Sequence, residues 1–222
     1  RERLLAGFVS TLIPCAARTV IILGLVGVYL GIEWALAIYA LNLLVVFILG
    51  RIAFKVIPGE PTALIMELSE YRIPHFKTAA TQAWFRLEEF IKVAFPLIIA
   101  GSFVIKLLDI FQILSIISNL LSPITVLWLG LPAVTGITLI FGILRKELTL
   151  VMLATLLGTT NFSAVLSPTQ MVVFTLVTLF YIPCISTIGA LVAEYGWKKA
   201  LYVTLFEVGF ALLVGGIAYR VL

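Results

Sequence analysis

Charge is scarce in this chain. Asp, Glu, Lys and Arg make up 12% of its 222 residues, where a soluble domain carries about 25%. That shortage excludes a soluble globular protein and a disordered one. Histidine is scarcer still. His75 is the only one, which rules out a histidine-rich metal centre, and a lone loop histidine beside Pro74 is read as incidental. Cys15 and Cys184 are the only cysteines, too few for a disulfide framework. Both lie inside apolar runs, where a bond between them is disfavoured. No G-x-x-x-x-G-K-S/T phrase occurs, so these residues encode no phosphate-cradling P-loop. An intramembrane cysteine enzyme is also disfavoured: nothing at helical spacing from Cys15 is a general base, since Arg18 is unsuitable.

What is present is apolar sequence. The chain is 62% hydrophobic, with a mean hydropathy of +1.20. Apolar windows of about 20 residues, the length that crosses a hydrocarbon core, recur along it. The expectation is an all-α, polytopic transmembrane helical bundle, multi-pass in the cytoplasmic membrane, with the lipid bilayer as its first partner. The net charge of +4 is read as the positive-inside bias of short connecting segments, not as nucleic-acid binding. The chain opens on Arg1, not Met, with no cleavable signal, and is read as a fragment or a processed chain.

The first apolar run covers about 4–31 and the second about 35–56, with Asn42 inside it. The one long polar stretch, 59–92, carries Arg72, Lys77, Arg86 and Lys92 and marks the cytoplasmic side. Its second half, 76–92, reads as an amphipathic helix with Trp84, Leu87, Phe90 and Ile91 on one face. A third span is expected over 93–111. Residues 126–157 allow two readings. Either two spans meet at a cytoplasmic turn containing Arg145, Lys146 and Glu147, or one long span carries these charges at lipid depth. The turn is preferred on charge placement, with 148–158 short and re-entrant. The second Pro-Cys segment spans about 171–192, and a last span, 200–221, contains Glu207.

One phrase occurs twice: Ile13-Pro14-Cys15 and Ile182-Pro183-Cys184. Proline breaks a helix by lacking an N–H and by clashing with the preceding turn. Inside lipid, such a break survives only where protein or a water-filled cavity receives the freed backbone groups. A pair of interrupted helices is the sequence pointer to a transporter's site, and a thiol beside each break is a soft metal ligand. With a small gap, Ala35-Leu36 aligns with Ala200-Leu201 and Gly50 with Gly215, which places Asn42 opposite Glu207. These matches suggest a duplicated broken-helix hairpin.

Several phrases together resemble the ferrous iron transport protein B (FeoB) family. They are Ile13-Pro14-Cys15-Ala16-Ala17-Arg18; Gly59-Glu60-Pro61 with Met66-Glu67-Leu68 and Tyr71-Arg72-Ile73-Pro74; Phe90-Ile91-Lys92; Gly142 with Lys146-Glu147; Leu166-Ser167-Pro168; and Tyr181-Ile182-Pro183-Cys184. Thr19-Val20 departs from the family's usual Leu-Pro. The resemblance covers essentially the whole chain. It implies two Gate units that carry Fe2+ across the membrane as a transported substrate, with no permanently bound cofactor. On that basis residues 1–56 are the end of the first Gate unit, 57–92 a cytoplasmic loop and amphipathic helix, and 93–222 the second Gate unit with the C-terminal spans. It also implies partners outside these residues: an N-terminal GTPase domain and upstream transmembrane segments. A homo-oligomer is compatible with it. The chain itself is expected not to be an enzyme. The shared Gate architecture leaves open a carrier of nucleosides or small organic solutes.

Cys15, Cys184 and Glu147 are the candidate metal ligands. Against this, each cysteine could be a small apolar filler, and Glu147 a turn residue paired with Lys146. Pro14 and Pro183 are the helix breaks, and carbonyls freed beside them could face a passing ion. Arg18 is assigned to structure or gating, because a cation path does not want a bare guanidinium as ligand. Glu207 is a gating or interhelical polar residue. Glu67, in the polar loop, is a cap or a coupling contact.

Overall fold

The computed structural model describes residues 2–56, 75–89, 91–92, 99, 103, 107, 110–112, 119–144, 146, 148–181 and 184–222. Glu67, Glu147 and Pro183 therefore lie outside the described residues, as does most of the expected span over 93–111. The chain divides into two compact units. One is Arg1–Pro61 with Ile117–Leu222, and the other is Thr62–Ile116.

In the larger unit, α1 (Glu2–Leu12) stops where the sequence predicts. Pro14 cannot donate to the preceding turn, and it pushes Ile13 out of the helical region. The backbone is extended at Cys15 (φ −78°, ψ 171°) and restarts as α2 (Ala16–Ile21), which widens into a π-helical stretch over Ile22–Gly27. Gly31, at φ +105°, reverses the chain into α3 (Ile32–Val56). At 25 residues and about 1.5 Å each, α3 spans roughly 37 Å, enough to cross a bilayer. Only Ala35, Ile38 and Asn42 are buried along it. Much of its remaining surface between the charged ends is apolar and exposed, as at Leu36, Leu43 and Phe47, which is what a lipid-facing helix requires.

The smaller unit contains α4 (Phe76–Glu89), where the amphipathic helix is expected. Trp84 and Leu87 are exposed on it.

Back in the larger unit, a π-helical segment over Pro123–Trp128 leads to α5 (Val134–Leu144) and α6 (Leu148–Leu157). These two helices pack side by side as a hairpin. Gly142 permits their approach, since a Cβ there would lie 2.8 Å from Thr149 Oγ1. With 11 and 10 residues, each rises only about 15–17 Å, half a bilayer core. The turn between them exists, but it is not at a cytoplasmic surface: Lys146 is 3% exposed. This corrects the expected placement of Lys146. Lys146 itself lies inside the protein.

α7 (Pro168–Phe180) is the central post. It starts on a capping box in which Gln170 N donates to Ser167 Oγ (3.2 Å) and Ser167 N donates to Gln170 Oε1 (3.0 Å). Every residue from Met171 to Phe180 is buried. Leu25, Leu129 and Leu153 pack with Phe174 and Val177, while Ile22, Val26 and Ile38 pack with Leu176 and Phe180. α8 (Ile185–Tyr195) follows the second Pro-Cys phrase. Gly196 (φ +82°) then turns the chain into α9 (Trp197–Val221), which packs along α7. No strand occurs among the described residues. Among the described residues, three helical stretches are long and apolar enough to cross a membrane: Leu4–Gly27, Ile32–Val56 and Trp197–Val221. The protein is an all-α, multi-pass membrane protein.

Candidate functional site at two helix interruptions

Each cysteine occupies the residue that opens a helix, Cys15 before α2 and Cys184 before α8. Both line one cavity of about 300 Å³. Its walls are Ser10, Thr11 and Ile13 from the end of α1, the stretch from Cys15 to Arg18, Lys146 from the α5–α6 turn, and Thr187 beside Cys184 on α8. Two phrases far apart in sequence thus meet at one space, large enough for several waters. Cys15 is exposed to it and Cys184 partly so. The Cys184 sulfur lies 3.2 Å from Thr187 Oγ1.

The carbonyl groups released at the interruptions are not left for solvent. Arg18 is 4% exposed, and its Nη1 donates to the carbonyl oxygens of Thr11 (2.7 Å) and Ile13 (3.1 Å). Asn42 Nδ2, from α3, reaches Leu12 O at 3.4 Å. On the other side, Lys146 Nζ donates to the carbonyl oxygens of Thr178 (3.3 Å) and Tyr181 (3.1 Å) at the end of α7. A buried carbonyl without a partner costs about 1–3 kcal/mol, and a buried charge needs hydrogen-bond partners of its own. Each cation and each broken helix end therefore solves the other's problem. The carbonyls of Thr11, Leu12, Ile13, Thr178 and Tyr181 thus face side-chain donors and offer a passing ion less than the sequence reading allowed.

Glu207, on α9, is fully buried. The Thr11 hydroxyl is hydrogen-bonded to its Oε1. Lys146 and Arg18 lie close enough for their charges to act on Glu207 and on one another. The sequence reading selected Cys15, Arg18, Pro14, Cys184 and Glu207. The structure gathers these around the first interruption and the cavity. It adds Lys146 and Thr11, which that reading had not assigned to the site. Lysine within an apolar run was the available signal, but the neighbouring Arg145 and Glu147 made the triplet look like a surface turn. Among the described residues, no three His, Cys, Asp or Glu side chains gather as a ready-made metal centre. The cavity offers two sulfurs and hydroxyls.

Comparison with known proteins places the chain in a family. The family model described as Ferrous iron transport protein B C terminus matches residues 35–86, and the Gate model, described as Nucleoside recognition, matches 91–198. The Fe(2+) transporter FeoB of Methanocaldococcus jannaschii is 30% identical over 96% of this chain and 36% of its own length. The Fe(2+) transporter FeoB of Staphylococcus aureus (strain MSSA476) is 25% identical over 100% of this chain and 37% of its own. That of Synechocystis is 29% identical over 95% and 37%. The chain thus spans a little over a third of the length of these curated relatives. No solved structure matches. The chain belongs to the ferrous iron transport protein B family, as part of its C-terminal membrane region.

Proposed function

We propose that this chain forms the membrane path of a ferrous-iron transporter, and that Fe2+ crosses through the cavity between the two Pro-Cys interruptions. The observation that carries the reading is that Cys15 and Cys184 line the same cavity. The transporter names of the relatives support it. Fe2+ is borderline in softness and accepts sulfur together with oxygen. A cation entering here also meets the positive charges of Arg18 and Lys146, so only ligands that bring negative charge can hold it. The two sulfurs bring that charge when they bind as thiolates, each releasing a proton, so cargo affinity rises with pH. The opposing cations keep that binding weak, and a site must be weak enough to release its ion if it is to conduct.

In this reading Cys15 and Cys184 are the ligands and Glu147 supplies a carboxylate oxygen. Pro14 and Pro183 hold the helices open. Arg18 and Glu207 fix the first interruption. Glu67 is the coupling contact through which a GTPase domain, with the further membrane segments of the full transporter, would bias open and closed states. Such bias requires different contacts in the two states. The nucleoside carrier is the weaker alternative. A base is recognised by stacking on aromatic rings as well as by hydrogen bonds, and among the described residues no aromatic side chain lines the cavity. Paired uptake assays in vesicles containing the protein decide between them. Accumulation of Fe2+ without accumulation of uridine is expected; uridine uptake without iron would overturn the assignment.

A further inference from the structure

The buried carboxyl of Glu207 has a hydrogen count that does not close if it is ionised. One of its oxygens, Oε2, is buried with no partner, while Oε1 is bonded to Thr11 Oγ1. The same threonine hydroxyl stands 2.6 Å from the carbonyl oxygen of Phe8. A hydroxyl has one hydrogen. With a carboxylate at Glu207, that one hydrogen is shared between Oε1 and Phe8 O, which already accepts within α1, and the charged group has no other donor, since Oε2 has none. With a proton on Oε1, the line closes: Glu207 O–H donates to Thr11 Oγ1, and Thr11 O–H donates to Phe8 O.

The complementary orphan lies on the other side of Thr11. Arg18 places Nη1 on the carbonyl oxygens of Thr11 and Ile13, yet its Nε is buried without an acceptor. Thr11 is therefore bracketed by an acceptor lacking a donor and a donor lacking an acceptor. A carboxylate in a dry site demands a charged partner, and a guanidinium binds carboxylates through two parallel N–H groups, of which Nε–H is often one.

We propose that Glu207 is a proton-binding site that sets the state of the first helix interruption. With the proton bound, Arg18 stays on the break carbonyls. With the proton released to water in the cavity, the carboxylate draws Arg18 off them and the wall of the cavity at 11–18 loosens. The coupling of this switch to cargo rests on the transport reading; the switch itself does not.

The charged groups acting on Glu207 are Arg18 and Lys146. Of the elements packed on α9, α7 carries no titratable side chain and is followed by Tyr181. α8 carries Cys184 at its start and Glu194 and Tyr195 at its far end. On α1 the only charged residues, Glu2 and Arg3, lie at the end remote from Thr11.

Two readouts on the chain in lipid vesicles test the proposal, and neither uses iron. The first is the infrared carbonyl band of a protonated carboxylic acid, followed with pH in wild type and in Glu207→Gln. The band is expected in wild type, to fade as pH rises, and to be missing in the variant. The second is the labelling rate of Cys15, in a Cys184→Ser background, by a water-soluble maleimide. It is expressed as the ratio of Glu207-containing protein to Glu207→Gln at each pH, which cancels the thiol's own ionisation. A several-fold rise in that ratio with pH is expected, and it should vanish in Arg18→Gln. Simple charge repulsion from a carboxylate would lower the ratio instead. Should Glu207→Gln fail to fold, Thr11→Val removes the acceptor of the proton and is expected to shift the band without abolishing it. A wild-type band unchanged by these substitutions, or a flat or falling ratio, overturns the proposal. Absence of iron uptake in a separate assay would count against the transport reading alone.

Discussion

Lys146 holds its ammonium 3.1 Å from the carbonyl oxygen of Tyr181 and 3.3 Å from that of Thr178. The tip of the α5–α6 hairpin thereby plugs the end of α7, as Arg18 plugs the end of α1. The two interruptions are closed by different chemistries drawn from different places: Arg18 comes from the helix just beyond its own break, and Lys146 from a separate hairpin.

Replacing Lys146 with methionine keeps the length of the side chain and removes the donor. Two buried carbonyl oxygens then lose their partner, at a cost of about 1–3 kcal/mol each. The expected outcome is a lower thermal midpoint in detergent together with loss of transport. Lys146→Arg should recover most of the stability, because its guanidinium still donates.

Gly215 sits where α9 crosses α7. A Cβ there would collide with Val177 and would stand 2.7 Å from Leu129 Cδ2. Gly215→Ala is therefore expected to destabilise by about 1–3 kcal/mol, the usual cost of overpacking. Gly209 on the same helix has nothing within 4 Å of its would-be Cβ, and Gly209→Ala should leave the melting curve unchanged or raised. Thermal unfolding of the two variants side by side checks the α7–α9 packing.

Trp128 donates from Nε1 to Leu212 O at 2.8 Å, and the Arg220 guanidinium lies 4.3 Å from its ring centroid. Trp128→Phe keeps a ring for the cation but removes the hydrogen bond. A loss of about 1 kcal/mol is expected, with Trp128→Leu costing more because the cation loses its aromatic partner. Neither variant touches the cavity, so both should retain transport once folded.

The parts of this fold that follow from short-range physics were legible in the sequence. Pro14 announces the end of α1, and the uniformly apolar runs announce α3 and α9. The paired Pro-Cys phrases pointed to one site, and the cysteines do share a cavity. What the sequence hid depends on depth and on long-range pairing. A hydropathy reading groups Lys146 with its charged neighbours as a surface turn, because it cannot know that the Lys146 ammonium reaches the carbonyls of Thr178 and Tyr181. The Thr11–Glu207 contact joins residues at opposite ends of the chain, and no periodicity encodes it. Asn42, the position that the apparent repeat aligns with Glu207, donates to the carbonyl of Leu12, a contact that no alignment predicts.

The account stands on cargo passing the two sulfurs that share one cavity. Fe2+ uptake into vesicles containing wild-type protein, Cys15→Ser or Cys184→Ser measures this most directly, with correct folding checked by thermal unfolding. Each substitution is expected to cut uptake severely while leaving the melting curve nearly unchanged, since a hydroxyl fits the space of a thiol but is a poor ligand for this metal. Wild-type uptake in both folded variants would contradict the account.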